Sequence, residues 1–175
     1  GAEPRQIDST RVIPQVGALF KIDDTYSLYA RYAEGFKMPT AEQLYTSLPG
    51  TSFVLVPNPN LKPESVRSYE GGVRGKFAQG WFSIGVFHAD YTDFIQSLQN
   101  IPGTVNYTSI NLSEVKVTGL EASAEWRWNE RWGSHASVSY QYATQRATPT
   151  ARETAHDNVA PFTAAVGIKH YIPEH

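Results

Sequence analysis

The sequence contains no cysteine. That excludes a disulfide framework and every thiolate metal site, while leaving the compartment open. It also lacks any run of about 18 apolar residues, which excludes a membrane-spanning helix. The first residues, GAEPRQIDST, are polar and carry no secretory signal core. Neither sign of charge dominates: 15 Lys and Arg against 17 Asp and Glu leave a net charge of −2. Nothing in that balance points to nucleic acid as a partner. No nucleophile elbow, phosphate-cradling glycine loop or His-Glu metal helix is present, so no enzyme class is indicated. Helical periodicity is missing as well. The one short run with a start signal is Thr40 to Ser47, with Thr40 placed to cap and Glu42 or Gln43 in the first turn.

What is present is aromatic and strand-forming: 10 Tyr, 8 Phe and 4 Trp against a single Met. Alternation with a period of two predicts seven strands, which begin with Arg11–Ile22, Tyr26–Ala33 and Ser65–Phe77. Trp81–Ile95, Val115–Trp128 and Trp132–Tyr142 follow, and Phe162 to Lys169 completes the set. Pro14 is tolerable near a strand's start or at an edge. In the fourth strand Phe82, Ile84 and Val86 compete in phase with Trp81, Phe87 and Tyr91. A bulge near Val86 would reconcile the two sets.

Short turns near Asp23, Gln79 and Glu130 alternate with three long connections: 36–63, Gln96–Glu114 and Ala143–Asn158. Transmembrane barrels have this asymmetry, with short periplasmic turns and long extracellular loops. Phe20, Tyr26, Phe77, Trp81, Trp126, Trp128 and Trp132 gather at the short-turn end, as in an interfacial aromatic girdle. The apolar faces of the clean strands carry no charge, where a cation at the bilayer midplane would cost roughly 2–4 kcal/mol. The opposite faces, with Arg31, Glu70, Arg74, Glu121, Glu125 and Lys169, suit a wet lumen. The expectation is an all-β, antiparallel, up-and-down transmembrane barrel segment. Seven strands is an odd number, whereas single-chain bacterial barrels have even counts from about 8 upward. Positions 1–175 are therefore expected to be one partial barrel domain, cut from a larger barrel.

The most irregular stretch is FKMPTAEQLYTSLPGTSFVLVPNPNLKP, from Phe36 to Pro63. Five prolines punctuate it, and its many hydrophobic residues distinguish it from a disordered linker. It is expected to be an ordered recognition loop. Within it, GFKMPTAEQLY (Gly35 to Tyr45) and NPNLKPE (Asn58 to Glu64) resemble the paired FRAP and NPNL boxes of TonB-dependent outer-membrane haem receptors. LYARYAEGF and NLSEVKVTGLEASAEW are similar to barrel strands of that superfamily, so the resemblance covers about Val12 to Tyr142.

The resemblance implies a barrel of about 22 strands with a plugged lumen. It implies a bacterial outer-membrane location, contact with outer-membrane lipid, and energy from the inner-membrane TonB complex acting on a plug that lies outside this chain. Haem, free or on a haem-carrying protein, would be the transported ligand, with no catalytic cofactor. Loop 36–64 would be the extracellular recognition site, with Phe36, Pro39, Asn58, Pro59, Asn60 and Leu61 shaping it. Family members often place a histidine between the boxes as an axial iron ligand; here there is none. Tyr45 is the remaining iron-ligand type in that interval, and tyrosinate is an accepted haem ligand. His156, in the third loop, is a weaker iron candidate and reads more naturally as a solvated loop residue. His88, Asp90 and Asp93 have a spacing suited to a metal but no third element in reach, which reads as a polar strand end. His135 alternates with serines and is expected in the lumen.

Two other readings stand beside this one. A ferric-siderophore receptor of the same superfamily would line its pocket with Tyr45, Phe53 and Tyr107. A soluble β-sandwich adhesin or carbohydrate-binding module would share the strand alternation, with one face in its core.

Overall fold

The computed structural model describes residues 12–49, 54–156 and 160–172. Seven long strands are present, as the alternation predicts: β1 (Gln15–Lys21), β2 (Tyr26–Lys37), β5 (Glu64–Phe77), β6 (Gly80–Asn100), β7 (Asn106–Arg127), β8 (Trp132–Arg146) and β10 (Phe162–His170). Three two-residue strands lie in the long connections: β3 (Leu48–Pro49), β4 (Val54–Leu55) and β9 (Thr154–Ala155). One short helix, α1 (Ala41–Tyr45), occupies the expected run. Thr40 caps it in a full capping box with Gln43, so each side chain serves the other's backbone N–H.

The long strands form a single antiparallel sheet in the order β1-β2-β5-β6-β7-β8-β10, each paired with its neighbour in sequence. Short turns hold the hairpins in register. At the first, the Asp23 carboxylate accepts the backbone N–H groups of Thr25 and Tyr26 at 2.8 and 2.7 Å.

Register lines the side chains up in rows across the sheet. One row runs Leu28, Val73, Ile84, Ala122, Val138, Ala164. The rows on either side hold Ala30, Gly71, Val86, Leu120, Tyr140 and Phe162, and Tyr26, Gly75, Phe82, Ala124, Ala136 and Val166. No charged residue lies in these three rows. Their side chains have no protein over them: Val86 is 63% exposed and Val166 81%. A continuous apolar face of this size belongs against lipid rather than water. Its upper limit is marked by four charged partners in one row, Glu34, Arg67, Asp90 and Lys116, which Thr144 of β8 continues. The opposite face carries Arg31, Glu70, Arg74, Glu121, Glu125, His135, Gln141 and Lys169, in line with a wet interior.

On that polar face the Tyr29 ring lies across the sheet. A Cβ added at Gly72 would sit 2.8 Å from its Cε1, and one at Gly85 only 2.3 Å from its hydroxyl. The Arg74 guanidinium stacks on the same ring at 4.2 Å. Two glycines thus make room for one aromatic that ties three strands together.

Three expectations are corrected. The β5–β6 and β6–β7 registers run unbroken through Val86, so no bulge lies there; the irregularity falls between Gln96 and Gln99. Trp81 pairs in register with Glu125 and so belongs to the polar face, not the lipid-facing girdle. Phe82 takes its place, packing on Tyr26 and Phe77 with centroids 6.4 and 6.2 Å apart. The connection Gln96–Glu114 is no loop: β6 and β7 continue through it as a hairpin, and the chain turns at 101–105. Gly103, at φ +79°, and the Thr104 hydroxyl, which donates to the Ile101 carbonyl at 2.8 Å, build that turn.

The face assignment has a direct test. Val138 lies in the central apolar row, and its neighbour Ser137 faces the opposite way. In the intact protein Val138→Arg should lower unfolding free energy by roughly 2–4 kcal/mol, with Ser137→Arg close to neutral. Denaturant unfolding in detergent or lipid measures both.

Candidate functional site

The candidate site lies at the long-loop end, beyond the charged row. There residues 36–49 leave the sheet and form α1, and residues 54–64 return against the projecting β6–β7 hairpin. Phe36 is still part of β2, paired with Ser65. Pro39 is buried where the strand hands over to the helix, and Leu44 is the buried residue of α1.

Asn58 is the hinge pin of the return. Its backbone N–H donates to the Gln43 carbonyl at 2.9 Å, and its side-chain amide donates to the Ser109 carbonyl at 3.0 Å. Its side-chain oxygen accepts the Asn60 N–H at 3.0 Å, closing an Asx turn over Pro59. Its carbonyl accepts the Leu61 N–H at 3.3 Å, and Leu61 is 8% exposed. Pro59 and Asn60 are on the surface.

Contacts from the boxes to β6 and β7 complete the clasp. The Asn111 side chain accepts the Lys62 N–H at 2.8 Å and donates to the Lys62 carbonyl at 3.0 Å, standing in for a backbone pairing partner. The same amide donates to the Asp93 carbonyl at 2.7 Å. Asp93 has φ +53°, a left-handed conformation that breaks the β5–β6 ladder after Thr92. The Glu64 carboxylate, 8% exposed, fills that break by accepting the Ile95 N–H at 2.9 Å. Gln43 donates from its amide to Ser97 at 3.0 Å, and the Thr108 hydroxyl donates to the Val56 carbonyl at 2.9 Å. β4 adds to β7 in parallel at Val54–Leu55.

The most buried apolar residues gather at the same end: on the sheet Val115 is 1% exposed, Leu112 3% and Ile95 5%, and on α1 Leu44 is 5% exposed. Burying each such side chain contributes about 1.5–3 kcal/mol. Loop and hairpin are therefore one packed unit.

Tyr45 ends α1 and is 43% exposed. Tyr107 lies on β7 beside β4, whereas Phe53 falls outside the described residues. His156 does not behave as a solvated loop histidine. It is 7% exposed, its Nδ1 lies 2.6 Å from the Gln145 side-chain oxygen, and its ring meets Phe94 edge-on at 5.6 Å. Phe94 in turn meets Tyr91 at 5.5 Å, and burial raises the Tyr91 phenol above its ordinary value. The third loop folds back because β9 pairs with β8 and the His156 N–H donates to the Ala143 carbonyl. His88 is held by Thr118 and Asp90, at 2.6 and 3.1 Å. Among the described residues no group of three His, Cys, Asp or Glu is placed to hold a metal ion.

Residues 3–173 match the family model for "TonB dependent receptor-like, beta-barrel". The chain belongs to that family. It is 29% identical over 171 residues to haemoglobin-haptoglobin utilization protein B of Neisseria meningitidis serogroup C, covering 83% of this chain and 21% of that protein. Probable haemoglobin and haemoglobin-haptoglobin-binding protein 4 of Haemophilus influenzae is 26% identical, over 87% of this chain and 17% of its own. The ferripyoverdine receptor of Pseudomonas aeruginosa is 35% identical over 148 residues, 81% of this chain and 17% of its own. Among solved structures, the copper transporter OprC superposes with a TM-score of 0.69 at 18% identity, over 90% of this chain and 24% of that one. That likeness bears on the fold, which is the barrel wall and not a β-sandwich.

TonB-dependent receptor barrels are transport receptors of the bacterial outer membrane, so the apolar face meets that membrane. This chain spans about a fifth of the length of the curated relatives it matches. Both boxes lie in the segment held against β6 and β7, but Asn111, Ser97 and Ser109 had no signal in the sequence as their partners. Asn111 is 49 residues from Lys62, and in the sequence it stands only in an Asn-Leu-Ser glycosylation pattern, which has no meaning in this membrane.

Two predictions follow from these contacts. Asn111→Ala leaves Lys62 and Asp93 without their partners and should destabilise the clasp by about 1–3 kcal/mol. Faster amide exchange at Lys62 and Ile95 at unchanged global stability is the measurement. In the third loop, the Thr144 hydroxyl chiefly holds the Glu153 carboxyl below its usual 4.5; desolvation opposes it, and Arg146 and Lys116 add smaller lowering effects. A depressed folded-state value means its contribution is full above 4.5 and fades as pH falls through the folded value. Exchange at Thr154 and Ala155, corrected for intrinsic rate, should therefore rise at acid pH, and Glu153→Gln should remove that dependence.

Proposed function

We propose that the receptor containing this chain captures haem at the cell surface and passes it across the outer membrane, driven by the TonB complex. The single observation that carries this reading is the clasp: both boxes of the haem-receptor pattern converge on one ordered unit at the extracellular end. The haemoglobin-binding relatives support it. In this reading the chain is one partial barrel domain, and β1 and β10, each paired on one side among the described residues, pair with further strands of the closed wall. The plug that would engage TonB lies in the rest of the receptor. The chain performs no chemistry on its ligand, and haem is cargo rather than a cofactor.

Tyr45 is the proposed iron contact, since it is the iron-ligand type between the boxes and is 43% exposed at the end of α1. Phe36, Pro39, Asn58, Pro59, Asn60 and Leu61 shape the loop that presents it. His156 would have to leave Gln145 and Phe94 to reach an iron, so its assigned role is to hold the third loop down. A siderophore receptor is the second reading, favoured by the 35% identity to the ferripyoverdine receptor.

Haem titration of the detergent-solubilised intact receptor, followed by Soret absorbance, separates them. Saturable binding is expected, with the Tyr45→Ala variant showing a shifted spectrum and an affinity lower by roughly tenfold. Binding of a ferric siderophore and none of haem would overturn the haem reading. Haem binding unchanged in the variant would retain the receptor and remove Tyr45.

A further inference from the structure

At the short-turn end, far from the clasp, the polar face opens into a cavity of about 720 Å³. Arg74, Lys76, Trp81, Glu125, Arg127 and Tyr171 are among its lining residues. Lys76 pairs in register with Trp81, and Trp81 with Glu125. Arg74 and Arg127 lie on the same face, each one step along its strand from that row. The volume suits a small molecule, for which pockets run from about 300 to 1,000 Å³.

Its charge is unbalanced. Glu125 is the carboxylate of the lining, and Lys169 already holds it at 2.7 Å. Among the described residues no carboxylate pairs with Arg74, Lys76 or Arg127, whereas Arg67, Lys116, Arg146 and Lys169 each have one. The guanidinium groups are held by aromatic faces instead: Arg74 lies 4.2 Å from the Tyr29 ring centre, and Arg127 4.7 Å from that of Tyr171. Arg127 also donates to the Asn129 and Glu130 carbonyls at 3.3 and 3.1 Å. Its backbone N–H reaches the Gln79 carbonyl at 2.7 Å, tying β7 to the neighbouring turn. These cations are fixed in place without being neutralised.

The missing anion does not come from the rest of the wall. Arg74 and Lys76 stand on β5 and Arg127 on β7, so any further strand begins three strands away, about 14 Å along the sheet. Lipid is excluded too, because these side chains share the face of Arg31 and Glu121 rather than that of Val73 and Ala122. The counter-charge belongs to whatever occupies the lumen. Beside the cations Trp81 adds an aromatic surface, 43% exposed. An acidic protein segment needs the cations alone. A flat anionic molecule uses both, with carboxylates in charge-assisted hydrogen bonds and its plane against the indole.

We propose that this cavity is an exit subsite for the carboxylates of the transported ligand. The proposal rests on the haem-uptake reading, and haem has the required chemistry: propionate carboxylates on a planar ring. Lys76 and Arg127 receive the carboxylates, Arg74 adds to the positive potential, and Trp81 meets the ring. Short turns lie on the periplasmic side, so the subsite stands where cargo leaves the lumen. A cationic recess there concentrates an anion at the far end of its path and favours its crossing.

The test uses cells carrying the intact receptor, with haem and haem dimethyl ester as probes, beside a Lys76→Gln/Arg127→Gln variant. Surface binding of haem should match the wild type, which also shows that the variant folds and reaches the membrane. The maximal receptor-dependent uptake rate of haem should fall about tenfold in the variant. The ester offers no carboxylate, so it should enter the wild type more slowly than haem and be indifferent to the substitutions. Lys76→Gln alone, whose side chain has no ion pair to lose within the described wall, should show the same ester-dependent loss in smaller measure and keeps the test valid if Arg127→Gln disturbs its turn. Unchanged haem uptake in both variants overturns the exit subsite and leaves haem uptake standing. Equal slowing of haem and ester also overturns it and assigns the cations to an acidic segment of the receptor. Haem neither bound nor taken up by the wild type overturns both readings.

Discussion

Inside a bilayer no water is available to replace an unmade backbone hydrogen bond, so the chain has to complete its ladders strand by strand. The rest of this structure depends on that constraint. It forces long antiparallel strands with side chains alternating at a strict period of two, and register then sorts residues into rows of one chemistry. Leu28, Val73, Ile84, Ala122, Val138 and Ala164 fall into one row although they come from six strands. A slip of one residue in any strand would carry Glu70, Arg74, Glu121 or Lys169 into the lipid. The row of Glu34, Arg67, Asp90 and Lys116 marks the level where the constraint ends.

Above that level water returns and the strands are free to do something else. The ladder between β5 and β6 breaks at Asp93, β6 slips register at Gln96, and side chains take over the work of the backbone. Glu64 accepts the N–H that β5 no longer serves, and Asn111 mimics a pairing strand for Lys62. Each bond made by these buried groups contributes modestly, about 0.5–1.5 kcal/mol, but leaving a partner unmet costs more. The clasp consequently holds as a set.

Some of this was legible from residues alone. The apolar faces of β1, β2, β5, β7, β8 and β10 could be assigned because lipid excludes charge from one side only. The capping box at Thr40 and Gln43 could be read because a cap is a local device. β6 could not, because its polar face also carries aromatics: Trp81, Phe87 and Tyr91 face the lumen side and mimic an apolar stripe. Its extension beyond the membrane was hidden for a related reason. The run from Gln96 to Ser113 mixes amides, Ser and Thr with single apolar residues and so has no two-sided pattern to detect. His156 read as solvated because its loop is polar, whereas β9 brings it back against Phe94.

The sequence by itself determined the seven long strands, the lipid-facing side, the place of the short turns and the position of the long irregular segment from Phe36 to Pro63. These follow from local periodicity and from residue types that act within a few positions of one another. Only the tertiary structure decided how the loop is held and which aromatics face lipid. Those facts rest on pairings such as Asn111 with Lys62 and Asn58 with Ser109, 49 and 51 residues apart. A hydrogen bond across that separation leaves no mark on either neighbourhood, and only the completed register brings the two groups within reach.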